Sequence, residues 1–398
     1  MPSRTDDLKA AKLRLFQPSV ADKNGSHPEL AAAIPASDGS ELRANFAEYK
    51  ELLRKHLVID DWQGVEIIVA AAVSHYVPAT EMLWMRVIGA SRAGKTEMIR
   101  PFEDHVDTEM LGVMTPASIK GGFRNGPSLV ERIHGQLVLT EDLAAILTLK
   151  NDTRTQLFGL LRSLKDGKID SDFNSSAGHV SVKARFDWIA CTTHGFEHHR
   201  SLEAQLGQRF VDLVYRWKPS SGIEMAVQAQ KNNASLTDIR ADLSERAHAV
   251  LDGASVAAKG PAPKLDTYSI ARLAFAAAKA RTPVERDGYS KRIEHISHQE
   301  APTSLAQDFN RIAQGLSLLG ITDYKPYLRR MAWDCMPSIR AKVMRLLMQD
   351  AFSQSDLARR TGLSDDTIRY ELESMRVLRL VNAKNELNSD SIGEMLDG

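Results

Sequence analysis

Eight residues, Gly89 to Thr96, have the types and spacing that bind the phosphates of a nucleotide. They read Gly-Ala-Ser-Arg-Ala-Gly-Lys-Thr and follow the apolar run Leu83 to Ile88. Glycines let a loop curl so that its N–H groups point at phosphate oxygens, and a following helix adds partial positive charge. Lys95 then reaches the β- and γ-phosphates, and the Thr96 hydroxyl binds Mg²⁺. The residues predicted to contact the nucleotide, for which we expect ATP, are Gly89, Ala90, Ser91, Arg92, Ala93, Gly94, Lys95, Thr96 and Glu97.

A second chemical element is an apolar run that ends in two carboxylates, Glu141 and Asp142. In nucleotide hydrolysis one acid supports the Mg²⁺ shell and another polarises the attacking water. The usual order is Asp before Glu, so two registers stay open. Either the order is inverted, or Thr140 stands in the place of the aspartate and Glu141 activates water. Glu141 belongs to the site in both registers and is the first candidate for catalysis and for the Mg²⁺ shell, followed by Asp142.

Two further segments carry polar groups suited to hydrolysis. The apolar run from Asp187 ends at Thr192 and Thr193, whose hydroxyls suit a sensor beside the γ-phosphate. Arg209 precedes another apolar run, where its guanidinium could stabilise charge on the nucleotide of a neighbouring subunit. The histidines between these segments lack cysteines or an HExxH frame, so loop positions are favoured over a metal site. They are His194, His198 and His199.

The composition indicates a protein with ordinary cores and little bias towards any partner. Of 398 residues, 43% are hydrophobic, and 51 Lys and Arg balance 51 Asp and Glu. This length predicts two or three domains, and a neutral sum does not exclude local contacts with nucleic acid. No apolar segment is long enough to span a bilayer and the N-terminus is polar, so we expect a cytoplasmic protein without a membrane partner. Cys191 and Cys335 fit buried, reduced thiols.

Several elements must position these groups. Apolar periodicity predicts helices over 46–56, 65–73, 153–164, 270–281 and 305–319, and packing would explain the apolar stripes of the last two. The Gly, Ala, Pro and Ser residues of 251–264 predict a connector. Two β-patterned runs, 168–173 and 179–186, predict a hairpin. Lys168, His179 and Lys183 could hold this hairpin against a phosphate backbone. An ordinary solvated hairpin is the alternative.

The C-terminal segment has the pattern of a helix-turn-helix. Helices are predicted over 339–348, 355–360 and 365–377, with Ser364 as the N-cap of the third and a small wing over 378–387. Thr367, Arg369 and Tyr370 would contact bases, with Arg359, Arg360 and Arg376 near phosphates. Protein contact or simple packing is the alternative, because nine Lys and Arg between 336 and 387 face seven Asp and Glu.

In this order the phosphate loop, acidic strand, hairpin, sensor strand and arginine resemble an AAA+ ATPase over 83–215. The hairpin before the sensor strand resembles the subgroup of minichromosome-maintenance helicases and bacterial enhancer-binding activators. Segments 160–167 and 182–186 are similar to the activator pattern, although the activators' GAFTGA loop is absent. The remainder resembles ATPases of bacterial phages, plasmids and integrative elements, through 273–281, 300–319 and the C-terminal segment.

This resemblance implies an α/β fold: a P-loop AAA+ three-layer α/β/α domain with a helical lid and a C-terminal winged helix-turn-helix. The implied boundaries are a flexible N-terminal arm at 1–40, the ATPase core with N-terminal helices at 41–218, the lid at 219–335 and the winged helix at 336–398. The lid arginine of relatives falls near Ser304, and Arg311 on the same helix is the expected substitute at the nucleotide.

The implied function is an ATP- and Mg²⁺-dependent motor acting on DNA, a mobile-element replication initiator or helicase. Its implied partners are DNA, further copies in a hexameric ring, and other replication or element-encoded proteins. The alternative is a nucleotide-switched DNA-binding or assembly regulator without unwinding activity, such as a helicase loader or a transposition or transcription regulator. A sensor in phage defence shares the same fold.

Overall fold

Five parallel strands form the central sheet of this computed structural model, which describes residues 39–112, 114–120, 128–172, 179–195, 208–296 and 299–396. The strand order is β2-β3-β6-β1-β7. In register, Ile88 of β1 lies between Thr192 of β6 and Val214 of β7. The strands of this sheet are β1 (Trp84–Ile88), β2 (Thr108–Met110), β3 (Leu137–Thr140), β6 (Asp187–Thr192) and β7 (Val211–Val214).

Each strand buries alternate residues on opposite faces of the sheet. Met85 and Val87 of β1 belong to one hydrophobic cluster, and Trp84 and Trp188 belong to another. Helices cover both faces, which confirms the predicted α/β class. The helices before β6 are α1 (Ser40–His56), α2 (Trp62–Val73), α3 (Lys95–Ile99), α4 (Pro116–Lys120), α5 (Leu129–Ile133) and α6 (Asn151–Lys165).

The loop after β1 opens a crevice at the carboxyl ends of the strands. The chain leaves β1 on the face of Met98 and Ile99, whereas Leu129 and Leu157, which follow β2 and β3, pack on the opposite face. The connections therefore change face between β3 and β1, which lie on either side of β6, and open α/β sheets bind ligands at the carboxyl ends of the strands where the connections change face, at the switch point. The candidate phosphate loop lies at this point.

The helices after β7 pack back onto the N-terminal helices. Helix α8 (Leu236–Ala257) lies on α1, and α10 (Thr303–Leu318) crosses α2. At that crossing a Cβ atom on Gly315 would clash with the carbonyl oxygen of Ala70, so only glycine allows the helices to approach so closely. One continuous hydrophobic cluster crosses the implied boundaries at 218 and 335. The later helices are α7 (Gly222–Asn232), α8 (Leu236–Ala257), α9 (Thr267–Arg281), α10 (Thr303–Leu318), α11 (Lys325–Asp334), α12 (Ser338–Leu347), α13 (Gln354–Thr361), α14 (Asp365–Val377) and α15 (Ser389–Leu396).

Two details differ from the sequence predictions. The connector expected from residue 251 begins only after Ala257, because α8 continues to that residue. Gly253 lies inside α8 where the helix approaches α1 closely: an added Cβ would lie 3.1 Å from Leu42 Cα. The predicted wing is a single antiparallel bridge between Val381 and Leu387. An unpredicted hairpin, β8 (Val284–Arg286) with β9 (Ile293–Ile296), follows α9.

The predicted hairpin before the sensor strand is present as β4 (Lys168–Asp172) and β5 (His179–Lys183). Residues 173–178 between these strands, and residues 1–38 of the arm predicted at 1–40, lie outside the described residues. Helix α1 begins directly after Gly39. Among the helices of the described residues, none combines the length and apolar character needed to cross a membrane.

Candidate functional site

The backbone of the loop Gly89–Thr96 depends on two of its glycines. Gly94, with a φ of 87°, adopts the left-handed conformation just before α3, which other residues adopt only with strain. At Gly89 an added Cβ would lie 2.9 Å from the carbonyl oxygen of Tyr215. The Gly89 N–H donates to the carbonyl of Thr192 at 3.2 Å. The loop is therefore held between the ends of β6 and β7.

Lys95 lies buried in this loop with its ammonium bonded to the loop itself. Its Nζ donates to the carbonyl oxygens of Gly89 at 2.9 Å and Ala90 at 2.6 Å. Burial lowers the pKa of Lys95, while Cys191 and Asp142 act in the opposite direction. A buried cation that relies on neutral carbonyls gains more from a phosphate oxygen, since hydrogen bonds between charged groups are roughly twice as strong.

Thr192 brings a hydroxyl without a partner to the same end of the sheet. Its side chain is 1% exposed, and its Oγ1 makes no hydrogen bond with the described residues. Leaving such a group unsatisfied costs about 1–3 kcal/mol. A polar ligand at the loop would remove that cost, which fits the predicted sensor position. Thr193 follows and is half-buried.

The two candidate acids have different surroundings. Glu141 accepts from Arg100 through Nε at 3.1 Å and Nη2 at 2.6 Å. Asp142 caps the short 3₁₀ segment after β3, where its Oδ1 accepts from the Ala144 N–H at 2.9 Å. The buried Thr140 hydroxyl accepts from Trp188 Nε1 at 3.0 Å. This bond uses one lone pair of the Thr140 hydroxyl, so both registers of the acidic segment stay open.

Electrostatics place these groups around one buried thiol. Burial raises the pKa of Cys191 to about 12, Lys95 lowers it, and Glu141 and Asp142 raise it further. Cys191 lies on β6, Lys95 follows β1 and the acids follow β3. Chemistry-bearing residues from three separate strands therefore converge at the crevice.

A cavity of about 660 Å³ adjoins the loop. It lies between the loop, the segment from His56 to Ile59, and α7 with the preceding Trp217. Asn232 of α7 closes its far side by donating to the His56 carbonyl at 2.7 Å. This volume is within the usual range for small-molecule sites. The base and sugar of a nucleotide whose phosphates are bound at Lys95 would have room here.

Arg209 lies at the opposite end of the strands from the loop, beside their amino ends, and we call this side of the sheet the amino edge. It precedes β7 by two residues and forms an ion pair with Asp166, with an Nη1–Oδ1 distance of 3.2 Å. The guanidinium remains partly exposed. A four-residue strand spans about 13 Å, so Arg209 is separated from the loop of its own chain by the length of β7.

Arg311 also lies at the amino edge, which corrects the prediction that it contacts the nucleotide. Its two Nη atoms donate to both carboxylate oxygens of Asp187 at 2.9 and 2.8 Å, and further to the carbonyls of Glu81 and Ser74. Asp187 begins β6, whereas the phosphate loop adjoins the end of β6. The Arg311 guanidinium is buried and bonded away from the loop, so it has a structural role.

The predicted DNA contacts of the C-terminal segment are mostly engaged with neighbours. Arg359 pairs with Asp356 at 2.5 Å and Arg369 with Asp366 at 2.7 Å. Arg360 stacks over Phe352. Tyr370 packs under Arg286 of β8, and Thr367 lines the same cleft beside β8. The prediction of base contacts by Thr367 and Tyr370 therefore conflicts with the hairpin that packs on this side of α14.

In the hairpin β4–β5, Lys168 pairs in register with Lys183, and Lys168 is exposed.

The sequence analysis did not single out Arg100 and Arg240, which both bind Glu97 at 2.7 Å beside the loop. The spacing of Arg100, one helical turn after Thr96, was the available signal for the first. No comparable signal marks Arg240, because it is distant in sequence.

Comparison with known protein families finds no matching family model, and a search of curated proteins finds no match. Among the described residues no group of three or more His, Cys, Asp or Glu side chains could hold a metal ion. His194 is exposed, and His198 and His199 lie outside the described residues.

Proposed function

We propose that the protein is an ATPase of the AAA+ type, which hydrolyses ATP at the junctions of a homo-oligomeric ring and acts on DNA. The observation that carries this proposal is the convergence of Lys95, Glu141, Asp142 and Thr192 on the loop at the switch point of the sheet. The order of the elements supports the same assignment, including the hairpin β4–β5 between α6 and β6.

Each side chain has a role that follows from its position. Lys95 would exchange its two carbonyl partners for phosphate oxygens, and Thr192 would donate its hydroxyl to the γ-phosphate or the attacking water. The Thr96 hydroxyl and the Asp142 carboxylate are oxygen donors of the kind that Mg²⁺ prefers, and Mg²⁺ would neutralise charge on the phosphates. Glu141 would orient and deprotonate water once its bond to Arg100 is released.

Arg209 is the argument for a ring. It cannot serve its own nucleotide from the amino edge, but the pair with Asp166 is partly exposed and therefore costs little to break. An arginine supplied by a neighbouring subunit typically accelerates phosphoryl transfer about 10³–10⁵-fold. We infer that Arg209 acts across a subunit junction.

A mixing experiment tests this arrangement. Lys95→Ala and Arg209→Ala should each abolish ATP turnover alone, and only Arg209→Ala should still bind a fluorescent ATP analogue. Mixed rings contain junctions where an intact loop faces an intact Arg209, so turnover should reappear. Arg132→Ala, which removes another exposed arginine paired to a carboxylate, should turn over normally. Full turnover by Arg209→Ala alone, or no recovery in mixed rings, rejects the junction.

A second function is favoured by one contact. Glu141 is bonded to Arg100, which suits a slowly hydrolysing, nucleotide-switched assembly or DNA-binding regulator. A strand-displacement assay on forked DNA with ATP, with Lys95→Ala as control, separates the two. Unwinding that requires Lys95 supports the motor. ATP-dependent binding without unwinding supports the regulator.

A further inference from the structure

Helix α9 carries aromatic and basic residues in alternation along one exposed face. Tyr268, Arg272, Phe275 and Lys279 are spaced by four, three and four positions, which aligns them along one side of a helix. Tyr268 is 73% exposed and Phe275 44% exposed. The Arg272 guanidinium lies 6.0 Å from the centre of the Tyr268 ring. We call these four residues the α9 stripe.

Core packing does not account for the α9 stripe. The opposite face of α9 already packs against α10, α11 and α15, with Ile270, Leu273 and Ala277 buried. Packing against neighbouring helices therefore explains the apolar residues of the buried face, as predicted, but it does not explain Tyr268 and Phe275. Large aromatic side chains in water at helical spacing are typical of a surface that binds a partner.

The charged residues of α9 itself are all cations, and Asp266 directly before the helix pairs with Lys325. Between Thr267 and Val284 the sequence contains Arg and Lys but no Asp or Glu. Arg379, exposed in the turn after α14, lies near Lys279, since its charge adds to burial in lowering the pKa of Lys279. Two cations held close together favour a partner that supplies negative charge.

We propose that the α9 stripe, together with Arg379, binds single-stranded nucleic acid. Tyr268 and Phe275 would stack on bases, while Arg272, Lys279 and Arg379 would contact phosphates. Rings that stack on bases without regard to sequence, set in a basic surface, are the usual means of holding a single strand. From Tyr268 to Lys279 the stripe is about 16 Å long, enough for several nucleotides. This inference goes beyond the proposed ATPase activity and does not require hydrolysis.

The test uses the full chain and a labelled twenty-nucleotide oligo(dT), with binding measured by fluorescence anisotropy. Tyr268→Ala with Phe275→Ala should weaken binding about tenfold or more, given the usual energy of base–aromatic stacking. Arg272→Gln with Lys279→Gln should reduce the slope of log affinity against log salt by about 1.4, at about 0.7 for each lost phosphate contact. A mixed-sequence duplex of equal length should bind more weakly than oligo(dT).

Two matched controls lie outside the α9 stripe. Tyr289→Ala removes an aromatic ring that is 98% exposed at the tip of β8–β9, and Arg54→Gln removes an exposed arginine of α1. Both should bind oligo(dT) like the original chain. Circular dichroism should show the same helix content in every variant, because none of the altered side chains is fully buried.

Four results overturn the inference, the first two being that the original chain does not bind oligo(dT) or that the stripe variants bind it as well as the original chain does. The third is that the chain prefers the duplex and that Arg359→Gln, in the predicted helix-turn-helix, abolishes this binding. The fourth is that the stripe variants differ from the original chain only in molar mass, measured by light scattering. The last result would make the α9 stripe a contact between copies. ATP turnover is measured separately. If turnover is absent but the stripe variants lose oligo(dT), the proposed function fails and this inference stands.

Discussion

The two edges of the central sheet both carry charged residues, but they treat them differently. At the amino edge Arg311 and Asp187 are buried, and the two Nη atoms of Arg311 donate to the carboxylate and to two carbonyls, while Nε has no partner among the described residues. At the carboxyl edge Lys95 is bonded only to neutral carbonyls of its own loop, and Thr192 Oγ1 has no partner among the described residues. The buried cation at the first edge is matched by a carboxylate, whereas the buried cation at the second edge is bonded only to neutral groups.

We expect this difference to separate charges that hold the fold together from charges that bind a ligand. A buried ion pair with matched charges holds elements together, and removing one partner leaves an uncompensated charge. A buried cation or hydroxyl that can still form a stronger hydrogen bond is able to bind a ligand. We therefore expect substitutions at the carboxyl edge to change chemistry, and substitutions at the amino edge to change stability.

The largest effect is expected at Glu141. Glu141→Gln should lower ATP turnover about 10²–10⁴-fold, because it removes the group that we propose accepts the proton of the attacking water. Nucleotide affinity and the free energy of unfolding should stay unchanged. Steady-state turnover and fluorescent-nucleotide titration measure this, with Glu245→Gln on α8 as a matched exposed control. Normal turnover in Glu141→Gln would leave Asp142 as the remaining acid.

At the amino edge, Arg311→Ala should reduce the free energy of unfolding by about 3–5 kcal/mol, because Asp187 would remain buried without its partner. Urea denaturation measures this, and Lys95→Ala serves as the contrast, with little change expected. Should Arg311→Ala fold with undiminished stability and lose only nucleotide affinity, the assignment of Arg311 to the structural edge would be wrong.

The pH dependence of stability gives a smaller effect at the amino edge. Burial raises the pKa of Asp308 to about 6, although Lys165, Arg281 and Arg311 oppose the shift. The folded state thus holds this proton more tightly than the unfolded chain, whose carboxyl has the ordinary pKa of 3.8. Its contribution to stability is complete below about pH 4 and is lost as the pH rises to about 6. In Asp308→Asn, urea midpoints at pH 4 and pH 6.5 should differ less than in the original chain.

The smallest effect is expected for Arg100→Gln, which releases Glu141 from its exposed ion pair. Such pairs contribute about 0.2–1 kcal/mol, so turnover should rise by no more than about fivefold. Arg240→Gln is the matched control, since it also contacts Glu97 but not Glu141. A fall in turnover specific to Arg100→Gln would instead make Arg100 a positioning residue for Glu141.

The sequence by itself determined the local elements. Apolar runs predicted β1, β3, β6 and β7, and the hairpin and C-terminal helices followed from periodicity and from caps such as Ser364, which accepts from the Thr367 N–H. These features depend on residues within a few positions of one another, so one sequence contains them. The Gly89–Thr96 motif belongs to the same class.

Only the tertiary structure showed which carboxylate each arginine contacts. Arg209 and Arg311 both looked suited to a nucleotide, but ion pairing joins residues far apart in sequence, and Arg311 meets Asp187 from 124 positions away. The same holds for α9, where periodicity cannot tell a buried side from an exposed one. Burial is a property of the neighbours that the fold supplies, and no local pattern in the chain encodes them.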